Sequence, residues 1–196
     1  MAALHRRKAT LEDYFELELN SETKHEYVND EIVAMAGAKQ AHNLIVVSLG
    51  VSLYGIARPR GCRVYPSDMR LRTPSGLYAY PDAMVMCGKA DISVYKGLET
   101  LNNPILIAEV LSPSTEDYDR GTKFRHYRSI PTLQTYLMID QDVPHVEMHT
   151  RQPDNSWLLR DTIGLDSEIS IESLDATLRL RDIYTQIDFE DVVDRE

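Results

Sequence analysis

A glutamate inside an apolar run is the feature that most restricts how this chain can fold. The stretch from Pro104 to Ser112 reads Pro-Ile-Leu-Ile-Ala-Glu-Val-Leu-Ser, and Glu109 is its one charged residue. A short run of Ile, Leu, Ala and Val is typical of a central strand that is covered on both faces. A carboxylate there loses hydration, which is unfavourable unless a cation, a proton or hydrogen-bond donors compensate. The sequence therefore predicts a buried strand whose carboxylate has a specific partner.

A second carboxylate opens another apolar run earlier in the chain. The segment from Tyr80 to Met86 reads Tyr-Pro-Asp-Ala-Met-Val-Met, and we predict it to be one strand. Side chains alternate along a strand, so Asp82 shares a face with Met84, and Glu109 shares a face with Ile107. If the two faces meet on one side of a sheet, the carboxylates can bind one hard cation such as Mg²⁺.

The composition limits the class of protein. With 196 residues, 43% of them hydrophobic, we expect one domain over residues 1–196. No apolar run looks long enough to span a bilayer, and no signal-peptide pattern follows the basic N-terminus, so we expect no membrane partner and a cytoplasmic location. Cys62 and Cys87 are the only cysteines and show no paired spacing, which suits a reducing compartment and argues against a Cys-based zinc site. The net charge of −10 argues against non-specific coating of nucleic acid, but it is compatible with an enzyme that has a local basic surface.

The hydrophobic periodicity predicts an α+β fold with a mixed sheet. Thr10 and Asp13 form a capping pattern at the start of a first helix, and Asn29-Asp30 is a turn-prone pair between two short strands. Apolar residues at helical spacing predict a long helix over residues 38–57. Three short strands follow, then the strand of Glu109, a helix that ends near residue 128, and further strands. The tail is predicted to be a short helix or a covering segment.

A lysine on the helix after Glu109 is the candidate cationic partner. Arg120, Lys123, Phe124 and Tyr127 form one helical stripe by the three-and-four spacing rule. Because the two aromatic residues need a hydrophobic core, the stripe is expected to face the sheet and to carry Lys123 toward the carboxylates.

The order of these motifs resembles the Uma-two family of restriction-endonuclease-like proteins. The matching residues are Lys24-His25-Glu26-Tyr27, Asp30-Glu31-Ile32, His42, Pro81-Asp82, Ile107 to Thr115, Asp119, Lys123, Tyr127 and Tyr136 to Asp140. Any one of these motifs is weak, whereas their order and spacing over about residues 10–140 are fairly specific. Uma-two belongs to the PD-(D/E)XK nuclease superfamily. The resemblance therefore implies a restriction-endonuclease-like core of αβββαβ type, a mixed β-sheet flanked by helices.

The resemblance also implies a reaction. Asp82 and Glu109 are expected to bind Mg²⁺, with Mn²⁺ as an alternative, and Lys123 to assist the water that hydrolyses a DNA phosphodiester bond. The superfamily pattern has a lysine two residues after the glutamate, where Leu111 stands in this chain. The resemblance implies that the helix-borne Lys123 takes its place.

Two further site residues and the partners follow from the resemblance. Glu26 is expected to be a third acidic member of the catalytic site, or else an exposed hairpin residue. His42 is expected to be a general base or a phosphate contact, or else a packing residue near a helix start. DNA is the expected partner, and a homodimer is expected because cutting two strands favours a symmetric assembly.

Structural roles for the same residues stay open at this point. Glu109 can form an ion pair with Arg120 or Lys123, Asp82 can accept a backbone N–H at a strand start, and Lys123 can be a solvated helix residue. The corresponding functions are a catalytically inactive nuclease-fold protein, acting as a DNA-processing accessory or a homodimeric interaction module. A non-nuclease metal hydrolase is disfavoured because no His-rich ligand set accompanies the carboxylates.

Two other sets of polar residues are candidates for a site. His145, Glu147 and His149 share a strand face, and we interpret them as the solvent side of an amphipathic strand rather than a second metal site. The basic residues form either a phosphate-facing patch or a solvated rim; they are Arg58, Arg60, Arg63, Arg70 and Arg72.

Overall fold

Two six-stranded sheets form the body of the described chain, residues 8–189 of a computed structural model. The first strands are β1 His25–Val28, β2 Glu31–Ala34, β3 Arg63–Pro66, β4 Arg70–Arg72, β5 Tyr78–Ala79, β6 Ala83–Met86 and β7 Ile92–Tyr95. The later strands are β8 Leu98–Leu101, β9 Leu106–Leu111, β10 Thr135–Asp140, β11 His145–Arg151, β12 Trp157–Ile163, β13 Glu168–Ile171 and β14 Ala176–Arg179.

The described helices are α1 Leu11–Asn20, α2 Gln40–Ala57, α3 over residues 116–127 and α4 Leu180–Ile183. Helices α2 and α3 cover opposite faces of the sheet that carries Glu109, and α1 packs on the other sheet. Helix α3 is α-helical over Glu116–Tyr118 and Phe124–Tyr127 and π-helical over Asp119–Lys123 between them. Short 3₁₀ turns cover Arg58–Arg60 and Glu172–Leu174.

The sheet that carries Glu109 is mixed, as the sequence predicts. We call it the central sheet; its strand order is β12-β11-β10-β9-β6-β3, with β9 parallel to β10 and antiparallel to β6. The outer sheet has the order β2-β1-β5-β4-β8-β7, and β13 pairs with β14 in a separate hairpin. Because β9 has a neighbour on each side, all its backbone groups can be paired, which is what an apolar central strand requires.

Alternation along β9 separates two hydrophobic cores. Ala108 and Val110 face a core shared with α2, α4 and the β13–β14 hairpin. Ile107 and Leu111 face the opposite core, beneath α3 and the outer sheet. Glu109 therefore lies on the α3 side of the central sheet, among side chains of the second core.

Local sequence signals fix the predicted N-terminal elements. The Thr10 hydroxyl accepts a hydrogen bond from the Asp13 N–H at 3.1 Å, and the Asp13 carboxylate accepts one from the Thr10 N–H at 2.8 Å, which is a complete capping box on α1. Asn29 and Asp30 have φ values of 51° and 64°, as a tight hairpin turn between β1 and β2 requires. The predicted long helix is present as α2.

The structure corrects the predicted strand from Tyr80 to Met86. Its first residues do not pair with the central sheet: β6 begins only at Ala83, and the preceding strand Tyr78–Ala79 belongs to the outer sheet. Pro81, which has no N–H for a strand ladder, lies at this change of sheet. The sequence did not predict β7, β8 and β13, which are short. The short helix that is one of the two options predicted for Leu178 to Ile187 is present as α4, and β14 precedes it.

The two cysteines, which the sequence spacing did not predict to pair, form a disulfide. Cys62 precedes β3 and Cys87 follows β6, and the register of these antiparallel strands pairs Arg63 with Met86. Cys62 and Cys87 flank this pair and therefore lie opposite each other, with Cα atoms 4.2 Å apart. Strand pairing, and not sequence proximity, brings the thiols together.

Helix α2 corrects the expectation that no segment of the chain is long and apolar enough to span a membrane. With the following turn it forms one helical segment, Gln40–Arg60, that is long and apolar enough to cross a membrane by length and composition. A core helix of a soluble protein passes the same test. The inward side chains of α2 pack against the central sheet; Ile45, Leu49 and Leu53 are fully buried there.

Candidate active site

Glu109 is the centre of a buried polar cluster on β9. Its side chain is almost fully buried, and its Oε1 accepts hydrogen bonds from the Tyr127 hydroxyl at 2.7 Å and from Lys123 Nζ at 3.1 Å. Its Oε2 accepts a longer bond from the Asp82 N–H at 3.4 Å. The donors that the sequence argument required are therefore present, and Lys123 supplies the charge.

Asp82 lies beside Glu109 because of the strand register. Ala83 pairs with Ala108 in antiparallel strands, so Asp82, which precedes β6, comes opposite Glu109. The Asp82 Oδ2 accepts a hydrogen bond from the Val110 N–H at 2.8 Å and lies 3.3 Å from His42 Nε2. The backbone N–H bond that the sequence allowed as a structural role is thus formed, together with proximity to Glu109.

Lys123 reaches three carboxylates from α3. Its Nζ is 3.1 Å from Glu109 Oε1, 3.1 Å from Asp119 Oδ1 and 3.2 Å from Glu26 Oε1. The residue is only 7% exposed, which excludes a solvated helix position. The Tyr118 ring lies 5.5 Å from the ammonium group and covers it from another side.

The remaining two predicted site residues come from different parts of the fold. Glu26 points inward from β1 of the outer sheet and is 5% exposed, so it is not an exposed hairpin residue. His42 lies in the first turn of α2 and contacts Asp82 through Nε2, while its buried Nδ1 has no hydrogen-bond partner within residues 8–189. The fold brings together all five residues that the sequence and the resemblance pointed to.

Two residues of the cluster were not predicted to act there, although the resemblance includes both. Asp119 is 2% exposed, and Tyr127 is fully buried with its hydroxyl on Glu109. Both are four residues from Lys123 on α3, which is the available sequence signal. The same spacing predicts Tyr127 in the core, but it does not show that the Tyr127 hydroxyl donates to Glu109.

Burial sets the electrostatics of the cluster. It raises the pKa of Glu109 to about 8, against the opposing effect of Lys123 and with help from the nearby Asp119 and Asp82 carboxylates. Burial likewise raises the pKa of Asp119, again against Lys123. Burial alone lowers the pKa of Lys123, but the surrounding acidic groups, Glu109 first, hold it well above its ordinary value. The lysine is therefore charged at neutral pH. Its single positive charge does not balance the carboxylates of Glu26, Glu109 and Asp119 that surround it.

A cavity of about 570 Å³ opens next to this cluster. One part of its wall is acidic and contains Glu26, Asp82, Glu109 and Asp119. Another part is the segment that leads into α2, from Val33 to Lys39, and the hydroxyl-rich loop from Ser112 to Thr115 lies after β9. Gln141, directly after β10, also lines it. The carboxylates are thus accessible to a small ion and to part of a larger ligand.

The donor set fits a hard divalent cation. It consists of carboxylate oxygens, which Mg²⁺, Mn²⁺ and Ca²⁺ prefer, and no cysteine takes part. Buried oxygens of Glu26 and Asp119 accept no hydrogen bond within the described range, although both are ion-paired with Lys123. Asp82, just before β6, lies beside Glu109 of β9 at the cavity, and these two carboxylates could hold the ion.

The structure gives a different account of the two other polar groups. Arg120 bonds Glu147 at 2.7 and 2.9 Å, not Glu109, so Glu147 is partly covered. His145 lies 2.8 Å from Asp161, and His149 packs 4.3 Å from the Phe124 ring. Glu147, His145 and Asp161 lie close enough to share an ion, but Arg120 already neutralises Glu147.

Arg70 does not belong to a phosphate-facing patch. It is 2% exposed, its Nε donates to the Thr100 hydroxyl at 2.9 Å, and its guanidinium lies 4.9 Å from the Phe15 ring. The prediction for this arginine is wrong because β4 turns it inward beneath α1. The other four candidate arginines are exposed.

Comparison with known proteins gives the family. A family model described as "Putative restriction endonuclease", Uma2, matches residues 11–181 of the chain. The chain belongs to the Uma-two family. The match covers every residue of the buried cluster and most of both sheets, which confirms the resemblance drawn from the motifs.

Two relatives of this Uma-two protein come from Synechocystis sp.. It is 37% identical over 161 residues to "Uncharacterized protein sll1609" of Synechocystis sp., covering 82% of this chain and 90% of that protein. It is 31% identical over 183 residues to "Uncharacterized protein slr1290" of the same organism, covering 93% and 94%.

A solved structure shows the same fold. The crystal structure of "a putative nuclease belonging to DUF820" from Anabaena variabilis superposes with a TM-score of 0.73 at 18% identity, covering 90% of this chain and 97% of the other. The predicted α+β, restriction-endonuclease-like architecture is confirmed by this likeness.

Proposed function

We propose that this Uma-two protein is a metal-dependent endonuclease that hydrolyses phosphodiester bonds of DNA. The observation that carries the proposal is the buried cluster in which Asp82, Glu109 and Lys123 meet at one cavity. The family description and the nuclease fold support a hydrolase acting on nucleic acid. The choice of Mg²⁺, with Mn²⁺ as an alternative, rests on the all-oxygen donor set.

The carboxylates and the lysine have separate roles in this proposal. A bound divalent cation supplies a Lewis acid that makes a water molecule more acidic and offsets negative charge on the phosphate. Asp82 and Glu109 hold the ion, and Glu26 and Asp119 hold Lys123 in place. Because the pKa of Lys123 is raised well above its ordinary value, the lysine serves as a fixed positive charge beside the reacting phosphate and not as a base.

Leu111 supports placing the lysine on the helix. It is 3% exposed and packs in the core under α3, so a lysine at this position would have to displace apolar contacts. Lys123 already lies 3.1 Å from Glu109. A helix packed over the strand thus brings an ammonium group next to the glutamate.

Tyr127 and His42 position the two metal-binding carboxylates. The Tyr127 hydroxyl holds Glu109 Oε1, which leaves the Oε2 side toward Asp82. His42 contacts one oxygen of Asp82 from α2. Both contacts restrict carboxylate rotation, which keeps the ligand oxygens in place before an ion arrives.

A plasmid-nicking assay tests the proposal. Wild-type protein is expected to nick DNA in Mg²⁺ or Mn²⁺, and Lys123→Met is expected to reduce the rate by about 100-fold or more, since one preorganised charge is lost. Lys96→Met is the matched control, because Lys96 is an exposed lysine paired with Glu12 away from the cavity. Thermal melts in Mg²⁺ establish that both variants are folded.

Equal rates for Lys123→Met and wild type would contradict the catalytic role of the lysine.

A homodimer is part of the same proposal, because a symmetric pair of sites can cut both strands. Light scattering during gel filtration measures the mass directly, and a monomer at working concentrations would remove that part of it.

An inactive nuclease fold is the second candidate, and one observation favours it. Lys123 neutralises part of the acidic cluster without any ion, so the cluster can stand as a structural network. This candidate predicts DNA binding without cleavage in either metal, and little change in the melting temperature when Mg²⁺ is added. The same assay and melts therefore separate the two candidates.

A further inference from the structure

The first turn of α2 opens onto the cavity without a side-chain cap. Lys39 is the N-cap residue, and no side chain in the described part of the protein caps this end. Gly37, Ala38, Lys39 and His42 all line the cavity. The first N–H groups of a helix lack intrahelical partners, and the end of an 18-residue helix carries a partial positive charge. An anion is the ligand that such an end favours.

A buried amide points to a ligand at the same place. Gln141 is fully buried, lines the cavity, and neither of its amide atoms has a hydrogen-bond partner among residues 8–189. A buried polar group without a partner is unfavourable by an amount comparable to a lost hydrogen bond. The amide therefore lacks the partner that a bound ligand can supply.

The sheet fixes the position of this amide. Asp140 pairs with Leu111 in the parallel β9–β10 ladder, so Gln141 follows at the level of Ser112. The Asp140 carboxylate accepts from the N–H groups of Asp142 and Val143 and turns the chain there. Gln141 thus lies at the strand ends, where the hydroxyl-rich loop begins, and it shares the cavity with the start of α2.

The cavity lining consequently offers two kinds of groups. Glu26, Glu109 and Asp119 surround Lys123, and their carboxylates favour a cation. The start of α2 offers free N–H groups and the exposed cation Lys39, and the unpartnered Gln141 amide lines the same cavity. His42, in the first turn of α2, contacts Asp82 through Nε2, and its Nδ1 has no partner among residues 8–189.

We propose that the start of α2, Lys39 and Gln141 form a phosphate-binding subsite, which holds a nucleic-acid phosphate next to the metal carboxylates. The inference rests on the proposed nuclease function for the identity of the phosphate. The subsite explains how an anionic substrate is accepted beside four carboxylates: the donors at the start of α2, Lys39 and Gln141 receive its oxygens while the carboxylates hold the cation.

Binding of inorganic phosphate tests the subsite without any cleavage step. Isothermal titration of the full chain in Mg²⁺ is expected to show phosphate binding at least ten-fold weaker in Gln141→Leu and weaker still in Gln141→Glu, which replaces a donor by a negative charge. Gln152→Leu is the matched control, since Gln152 lies outside the cavity lining. Binding of Mg²⁺ alone is expected to stay within two-fold of wild type in all three variants.

Thermal melts separate a ligand site from a structural role. Without phosphate, Gln141→Leu is expected to melt at or above the wild-type temperature, because a buried amide without partners is replaced by an apolar group. Lys39→Asp is expected to raise the melting temperature by capping α2 and to weaken phosphate binding at least ten-fold, because its carboxylate occupies the free N–H groups. Lys89→Asp, at an exposed position outside the cavity lining, controls for charge alone.

Wild-type phosphate affinity in both Gln141→Leu and Lys39→Asp would overturn the subsite. A ten-fold loss of Mg²⁺ affinity in Gln141→Leu would also overturn it, because the amide would then be a metal ligand. Failure of the nuclease proposal gives a different pattern: no DNA cleavage by wild type, while phosphate binding still depends on Gln141 and Lys39. Cleavage by wild type with phosphate binding unaffected by the variants removes the subsite alone.

Discussion

Burial gives Glu109 its chemistry at the scale of single residues. An exposed glutamate is ionised at neutral pH, whereas the buried Glu109 has its pKa raised to about 8 despite Lys123 at 3.1 Å. Three carboxylates, those of Glu26, Glu109 and Asp119, share one ammonium group there, so a proton or a second cation completes the charge balance. The same residue is therefore a metal ligand in the proposal and a pH-sensitive group in the metal-free protein.

The stability of the metal-free protein is expected to fall as the pH rises. The pKa of Glu109 in the folded state, about 8, lies above the ordinary value of 4.5. The folded state therefore holds more protons between these values, and the stability from neutral Glu109 is complete below about 4.5 and lost as the pH rises through about 8. Glu109→Gln cannot ionise and is expected to lose less stability between pH 6 and pH 9.

Urea unfolding with a chelator present, at pH 6, 7.5 and 9, measures this difference. Wild type and Glu109→Gln with parallel pH profiles would show that Glu109 is already ionised and balanced by Lys123. Added Mg²⁺ is expected to stabilise wild type and not the variant, because only the carboxylate provides a charged ligand.

At the scale of elements, α3 places the cationic and acidic groups together. Its central segment is π-helical and carries Asp119 at one end and Lys123 at the other. Lys123 contacts Glu109, and Asp119 contacts Lys123. Short π-helical segments inside α-helices occur often at functional sites. Tyr127, one turn later, anchors the helix in the core and holds Glu109 with its hydroxyl.

Deletion of Gly121 is expected to separate fold from activity. The deletion shortens the spacing between Asp119 and Lys123 from four residues to three, so the two side chains cannot both keep their places in the cluster. We expect circular dichroism to show a folded protein and the nicking rate to fall by about 100-fold, as for loss of the lysine.

Gly121→Ala is the control for this deletion. A Cβ at Gly121 meets no atom within 4 Å, and the position does not need a left-handed backbone, so the change is expected to keep the cluster and full activity. A deletion variant with wild-type activity would show that the spacing within α3 is unimportant.

At the scale of the whole molecule, the site is assembled from both sheets and two helices. Glu26 comes from the outer sheet, Glu109 from the central sheet, Asp82 from the residue just before β6, His42 from α2 and Lys123 from α3. The contacts of Lys123 with Glu109 and Glu26 therefore join α3 to both sheets. The Cys62–Cys87 disulfide ties β3 to β6 at the end of β6 opposite Asp82.

Removing the disulfide is expected to lower stability without changing the site. The Cys62→Ala, Cys87→Ala double variant frees a loop with a sequence separation of 25. A cross-link of this length is worth about 3 kcal/mol, or roughly 6 to 12 °C in melting temperature for a chain of this size. Calorimetry measures the loss, and the Mg²⁺-induced shift is expected to be retained. A loss of that shift would mean that the disulfide end of β6 controls the position of Asp82.

The sequence by itself determined the local features. The capping box of Thr10, the turn at Asn29-Asp30, the length of α2 and the apolar run around Glu109 all depend on residues close in the chain, so they could be predicted from it. The motif order was specific enough to indicate the family. The helical stripe with Tyr127 also correctly predicted that α3 carries Lys123 toward Glu109.

Only the tertiary structure decided which distant groups meet. The split of the predicted strand at Pro81, the inward turn of Arg70, and the pairing of Cys62 with Cys87 depend on which strands become neighbours. The unpartnered Gln141 amide likewise becomes visible only when the ends of β9 and β10 and the start of α2 surround one cavity. The physical reason is that strand pairing and burial are long-range properties, which local residue patterns constrain but do not fix.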